Sequence, residues 1–153
     1  MTTNLKIENA DRKSPSNIQG RVLLMDDQES IRNMLAKMLF YLGYEVEFAE
    51  EGTKAVDLYK RAMKSRQPFD FVILDIVIPY GMGGKETVQK LREIDPGIKA
   101  IVSSGYSDDP IMSDYRRYGF CGMLAKPFQI EELSEVLYKV IKETKKSLST
   151  VFG

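Results

Sequence analysis

The chain of 153 residues contains no histidine. That excludes histidine acid–base catalysis, imidazole metal ligands and any phosphohistidine formed within this chain. A single cysteine, Cys121, rules out an internal disulfide and fits a reducing compartment. No charge of one sign prevails, since Lys plus Arg and Asp plus Glu both number 22. The zero net charge gives no sign of a nucleic-acid surface. No apolar run approaches the roughly 18 residues of a membrane span, and the opening residues lack the apolar core of a signal peptide. A cytoplasmic protein without a membrane segment is expected. What is present is 29% charged and 43% hydrophobic, as in ordinary globular proteins, at a length that suits one domain with a single core.

Residues 1–19, "MTTNLKIENADRKSPSNIQ", are polar and broken by Ser14-Pro15-Ser16, so they read as a leader or linker. Residues 146–153 read as a frayed tail. In the stretch 20–145 between them, strand-like runs alternate with helical patterns. The run "RVLLMD" (21–26) is a first strand. In "ESIRNMLAKMLFYLG" the residues Ile31, Leu35, Met38, Leu39 and Leu42 recur at helical spacing, and Gly43 is a natural stop. "YEVEFA" (44–49) alternates as a strand does. A second helix, "GTKAVDLYKRAMKSR", places Ala55, Leu58, Tyr59, Ala62 and Met63 on one face. "FDFVILD" (69–75) is the continuous apolar run of a central strand covered on both sides. The helix "GKETVQKLREID" ends before Pro96, "IKAIVSS" (98–104) is a fourth strand, and "PIMSDYRRYG" (110–119) is a short helix. "FCGMLA" (120–125) is a fifth strand that includes Cys121 as a small core residue. The closing helix, "QIEELSEVLYKVIKETKK", turns Ile130, Leu133, Leu137, Val140 and Ile141 inward. Met34, Met38 and Met63 are expected to pack in the core.

Five β–α units in a row imply a parallel sheet with right-handed crossovers. The expected architecture is an α/β, flavodoxin-like (βα)5 three-layer sandwich with strand order 2-1-3-4-5. In such sheets the functional site lies beyond the carboxyl ends of the strands. Those ends carry Asp26-Asp27, Glu50-Glu51, Asp75, Ser103-Ser104 and Lys126-Pro127 in turn. If the first and third strands are neighbours, Asp26, Asp27 and Asp75 converge. Carboxylates about 4 Å apart repel by on the order of 1 to 4 kcal/mol per pair, depending on the local dielectric. A hard divalent cation such as magnesium relieves that repulsion and binds phosphate as well. With a lysine and a hydroxyl beside it, the constellation can stabilise a phosphoryl group in transfer to a carboxylate nucleophile. Each piece also has a bland reading. Asp26-Asp27 alone suits a helix N-cap, Lys126 alone a solvated lysine, and Ser103-Ser104 alone a turn. Glu50-Glu51 suit a surface or the first turn of a helix, and "YRRY" (115–118) suits a solvated face.

Taken together, "LLMDD", "VILDIVIP", "SSGYS" and "LAKPF" resemble the receiver domain of two-component response regulators, over roughly residues 20–145. "IPYGMGGKE" and "SSGYS" are most similar to receivers attached to hybrid sensor histidine kinases. The resemblance implies that Asp75 is the phosphoacceptor and that Asp27, with Asp26 beside it and the backbone carbonyl of Val77, holds Mg2+ (or Mn2+). It implies that Ser104 is the switch hydroxyl and Lys126 the phosphate-binding lysine, with Pro127 in a turn that is often cis. The implied partner is a sensor histidine kinase or a histidine phosphotransfer domain. A downstream protein would be met by the surface of the fourth helix, fifth strand and fifth helix. The isolated domain would not be an enzyme, beyond promoting its own phosphorylation and dephosphorylation, whereas a hybrid parent chain would be a histidine kinase.

Two departures from the family pattern stand out. Met123 occupies the place, three residues before the lysine, where an aromatic switch often sits, so an output change should be smaller there or run through Tyr106. The loop after Asp75 is about a residue longer than usual, and Gly81, Gly83 and Gly84 are expected to absorb this through positive φ. Three rival readings share parts of this pattern. A flavodoxin needs a phosphate-cradling loop where this chain has "DDQES". A haloacid-dehalogenase-type phosphatase needs an acid at Val77. A pseudo-receiver that only binds partners does not need the acid–hydroxyl–lysine set.

Overall fold

The computed structural model describes residues 18–106 and 108–152, with side chains through residue 143. Most of the expected leader therefore lies outside the described residues, as do the side chains of the expected tail. The elements are β1 (Gly20–Met25), α1 (Glu29–Tyr41), β2 (Tyr44–Ala49), α2 (Gly52–Lys64), β3 (Phe71–Asp75) and α3 (Gly84–Ile94), followed by β4 (Ala100–Ser104), α4 (Pro110–Ser113), a 3-10 turn (Tyr115–Tyr118), β5 (Gly122–Ala125) and α5 (Ile130–Phe152). All strand pairs are parallel, in the order β2-β1-β3-β4-β5.

Alternation along the strands divides the core between the two faces of the sheet. Leu23, Met25, Val72, Leu74 and Val102 pack with Ala55 and Tyr59 of α2, Val88 and Leu91 of α3, and Ile111 and Met112 of α4. Val22, Leu24, Ile73, Ile101 and Leu124 pack with Leu35 and Leu39 of α1 and with Leu133, Leu137 and Val140 of α5. Both faces of β3 are thus covered, which is why its whole length is apolar until Asp75. Ile141 packs partly against the α1/α5 layer, and Ile130 is half-buried at the start of its helix. No described helix is long and apolar enough to cross a membrane.

Several expectations need correction. Met34 and Met63 are 39% and 41% exposed, because each lies one position off its helix's buried stripe, beside Leu35 and Ala62. Met38 packs partly against the core. Strands four and five begin at Ala100 and Gly122, two residues later than their apolar runs suggest. Cys121 therefore precedes β5, partly buried, with its Sγ–H donating to the Ala100 carbonyl at 3.4 Å. The short helix divides at Asp114, whose φ of −137° ends α4, and the 3-10 turn stops at Gly119 in the left-handed region. In that turn Tyr115 and Tyr118 pack partly against the core, while Arg116 makes an exposed pair with Glu143 at 2.8 Å, so only part of "YRRY" faces solvent.

Candidate functional site

Register brings the acids together. β1 and β3 are neighbours with Met25 opposite Leu74, so Asp26 and Asp75, one residue further on, stand side by side at the carboxyl edge. Both are buried, at 1% and 8% exposure. Lys126 follows β5, and its Nζ crosses over β4 to donate to Asp26 Oδ2 at 2.6 Å and Asp75 Oδ2 at 3.1 Å. The other oxygen of Asp26 accepts from the Gln28 N–H at 2.9 Å, and Arg32 donates to the Asp26 carbonyl at 2.8 Å. Asp26 is thus held from three directions. It does not act as the helix cap, since Gln28 occupies the N-cap of α1 with no side-chain cap bond. Asp27 is exposed, yet it offers a carboxylate oxygen to the same cluster: one ligand atom each from Asp26, Asp27 and Asp75 all lie within 4.8 Å of one another.

The electrostatics follow from burial. Desolvation pushes the Asp75 carboxyl above its ordinary range, Lys126 pulls it back, and Asp26 raises it again. The N–H of Val77 also donates to Asp75 and favours its charged form. For Lys126, burial opposes the ammonium, but the carboxylates of Asp26 and Asp75 outweigh it and hold the amine above its usual value. Lys126 is thus a charged, partly buried partner of two carboxylates rather than a solvated lysine, and its bond to Pro127 is cis. The donors are hard carboxylate oxygens around a shared point, which fits a divalent cation of the magnesium type.

Ser104 ends β4, buried, and its Oγ accepts from the Tyr106 N–H at 3.0 Å. Neither Ser104 nor the Val77 carbonyl bonds to the Lys126–Asp26–Asp75 group among the described contacts. The loop after Asp75 differs from expectation. Its positive φ belongs to Tyr80, at 63°, and not to Gly81, Gly83 or Gly84. Those glycines serve close approach instead: a Cβ on Gly84 would lie 2.7 Å from the Asp75 carbonyl oxygen, and one on Gly83 would collide with that of Ile76. Sequence reasoning missed the anchor of this loop. Glu51 is the N-cap of α2, accepting from Thr53 and Lys54 N–H at 3.0 and 3.1 Å, and the same carboxylate reaches the Met82 N–H at 3.4 Å. Gly52 N–H donates to the Met82 carbonyl at 2.9 Å. An acid directly before a helical pattern is the signal that could have revealed the cap, but the tie to Met82 is a tertiary contact.

Comparison with known proteins agrees with this geometry. The family model described as the response regulator receiver domain matches residues 22–138. Sporulation initiation phosphotransferase F of Bacillus subtilis (strain 168) is 30% identical over 121 residues, spanning 79% of this chain and 93% of its own. Chemotaxis protein CheY of Thermotoga maritima is 34% identical over 123 residues, spanning 80% of this chain and 98% of its own. Among solved structures, the receiver domain of sensor histidine kinase PA1611 from Pseudomonas aeruginosa PAO1, with a magnesium ion coordinated in its active site cleft, superposes with a TM-score of 0.69. It is 24% identical and covers 80% of this chain and 98% of that one. The sheet order, the edge acids with their lysine, and the match over most of the chain lead to one conclusion: this chain belongs to the response regulator receiver domain family of two-component systems.

Proposed function

We propose that Asp75 accepts a phosphoryl group from the phosphohistidine of a partner sensor histidine kinase or histidine phosphotransfer domain. The observation that carries this reading is the Lys126 ammonium bonded to the two buried carboxylates Asp26 and Asp75. An Asp75 oxygen attacks the phosphorus; the P–N bond breaks, its electron pair stays on the imidazole nitrogen, and an O–P bond forms. Val77 N–H and Lys126 orient the carboxylate. Lys126 also stands ready to meet the charge of the incoming group. Ser104 Oγ accepts one hydrogen bond, which leaves its proton free to donate to a phosphoryl oxygen.

Asp26, Asp27, Asp75 and the Val77 carbonyl would hold Mg2+ (or Mn2+). When bound, the cation neutralises charge on the transferring phosphoryl oxygens. The magnesium site of the PA1611 receiver supports this assignment. The receiver unit spans residues 20–145 and acts in the cytoplasm, and the α4–β5–α5 surface is where a downstream protein would read its state. The chain itself is a phosphoryl acceptor rather than a catalyst acting on a separate substrate. If its parent is a hybrid, that parent is a histidine kinase.

Mass spectrometry after incubation with acetyl phosphate and Mg2+ tests the reading. One phosphoryl group on Asp75 is expected, and none on Asp75→Asn. Undiminished labelling of Asp75→Asn overturns the assignment. An unlabelled wild-type chain overturns phosphoacceptance and favours an interaction module that never takes phosphate.

A further inference from the structure

β4 ends in two serines, and the transfer described above uses only Ser104. Ser103 is 2% exposed, and its Oγ has no hydrogen-bond partner among the described residues. A buried hydroxyl left unpaired is costly and calls for an explanation.

Its place in the sheet supplies one. Asp75 and Ser103 are register partners in the parallel β3–β4 pair. Side chains opposite one another across parallel strands share a face. Here it is the face of Ile73 and Ile101, beneath α1 and α5. Adjacent strands lie about 4.8 Å apart, which puts the Ser103 hydroxyl one strand away from the Asp75 carboxylate. Leu124 is the register partner of Ser103 on the other side, and Lys126, two residues on, springs from that same face of the sheet. To reach Asp75 and Asp26, the Lys126 side chain crosses the strand that carries Ser103.

In the structure Asp75 takes a hydrogen bond from Lys126, and the nearby Val77 N–H also favours its charged form. Once a phosphoryl group arrives, Lys126 is drawn to its oxygens, and Asp75, whose side chain is only 11% exposed, loses a donor on its β4 side. We propose that Ser103 is a positioning residue that replaces it. Its hydroxyl donates to the Asp75 oxygen that is not bonded to phosphorus, sharing that oxygen with the cation the carboxylate would hold, and keeps the carboxyl group aligned while Lys126 serves the transferred group. This rests on Asp75 being the phosphoacceptor. With acetyl phosphate as donor, the Asp75 O–P bond forms as the acetate–phosphorus bond breaks. Acetate leaves with the electron pair, and Ser103 keeps its proton throughout.

The test compares wild type, Ser103→Ala, Ser103→Cys and Ser103→Thr in four measurements: melting temperature without metal, the Mg2+ dependence of that temperature, the rate of phosphoryl uptake from acetyl phosphate, and the half-life of the aspartyl phosphate. Ser103→Ala should melt no lower than wild type, because its hydroxyl has no bond to lose, and its Mg2+ response should be unchanged. Its uptake should nevertheless fall by about three- to tenfold, the worth of one hydrogen bond in the transfer. Ser103→Cys, a poor donor of similar shape, should behave like Ser103→Ala, and Ser103→Thr should recover most of the rate. The proposal is overturned if Ser103→Ala takes phosphate at the wild-type rate, or if its uptake falls only in step with melting temperature or Mg2+ response. If the wild-type chain takes no phosphate, the reading of Asp75 falls and this role falls with it. A labelled wild type with an indifferent Ser103→Ala removes Ser103 alone.

Discussion

Lys126 and Asp26 show how much a single buried pair can carry. Asp26 is almost fully buried, and its carboxylate meets the ammonium at 2.6 Å. Removing one member of such a pair strands the other, typically at a cost of about 3–5 kcal/mol. Lys126→Met should therefore lower unfolding stability in urea by that order, with part of the loss recovered in Mg2+. A loss well below about 1 kcal/mol would mean that the pair is screened like a surface bridge. Asp75 has the opposite character. Burial holds its carboxyl above the usual range, so its charge works against the folded, metal-free chain. The raised folded value means that stability is fullest below the ordinary carboxylate range and is lost as pH rises through the raised value. Asp75→Asn should then melt above wild type at neutral pH without metal. The difference should close in acid, and calorimetry at several pH values reads both.

Glu51 operates between elements. Its carboxylate caps α2 and holds the Met82 N–H, so one side chain ties the loop behind Asp75 to the first turn of α2. The backbone N–H groups of Thr53, Lys54 and Met82 hold its carboxyl below the ordinary value against some desolvation. A depressed carboxyl contributes stability that is present above its unfolded value and is lost as pH falls through the folded one. Glu51→Ala should lose about 1 kcal/mol at neutral pH, as a missing cap does, with faster amide exchange in residues 80–84. That loss should shrink at acid pH, and a constant loss across pH would rule the carboxylate out. The cap also marks where sequence reading stops. The five strands, their order and the meeting of Asp26, Asp75 and Lys126 were legible, because apolar runs and their polar ends are local features that a parallel sheet aligns. Glu51's second bond depends on which loop lies over it. Ser103 was legible as part of the fourth strand's end, but its place opposite Asp75 was not, because that depends on register with another strand. The starts of β4 and β5 were misplaced because apolarity continues past the point where pairing begins, and the break at Asp114 carries no glycine or proline to announce it. The glycines of the Asp75 loop stand out in the sequence, but the expectation of positive φ fails, because Gly83 and Gly84 serve close approach to the Ile76 and Asp75 carbonyls instead.

At the scale of the whole molecule, the acidic cluster would couple metal to folding. Mg2+ at 100 times its dissociation constant should add about 2.7 kcal/mol of stability, seen as a rise in melting temperature. An unmoved melting curve in large excess Mg2+ would remove the site. A phosphoryl-mimicking fluoride complex should protect amides in two stretches on the carboxyl edge of the sheet, 76–84 and 104–112, with little change at 121–124, where Met123 offers no ring to swing inward. Ser104→Ala should bind the mimic yet lose most of the protection at 104–112, and an unchanged pattern would remove Ser104 from the switch. The pocket also has a charge balance. Three carboxylates and one ammonium leave it two negative charges, which a single divalent ion cancels. Phosphorylation of Asp75 as proposed would replace its single charge with about −1.5 to −2, so the site would become more negative than one such ion can cancel. The phosphorylated chain should hold its metal more tightly than the free chain. Because coupling between two ligands is reciprocal, the same factor measures how far metal favours the phosphorylated state over the free one. Free Mg2+ concentration would then act as an input to the switch, setting how much of a given phosphoryl supply the chain retains.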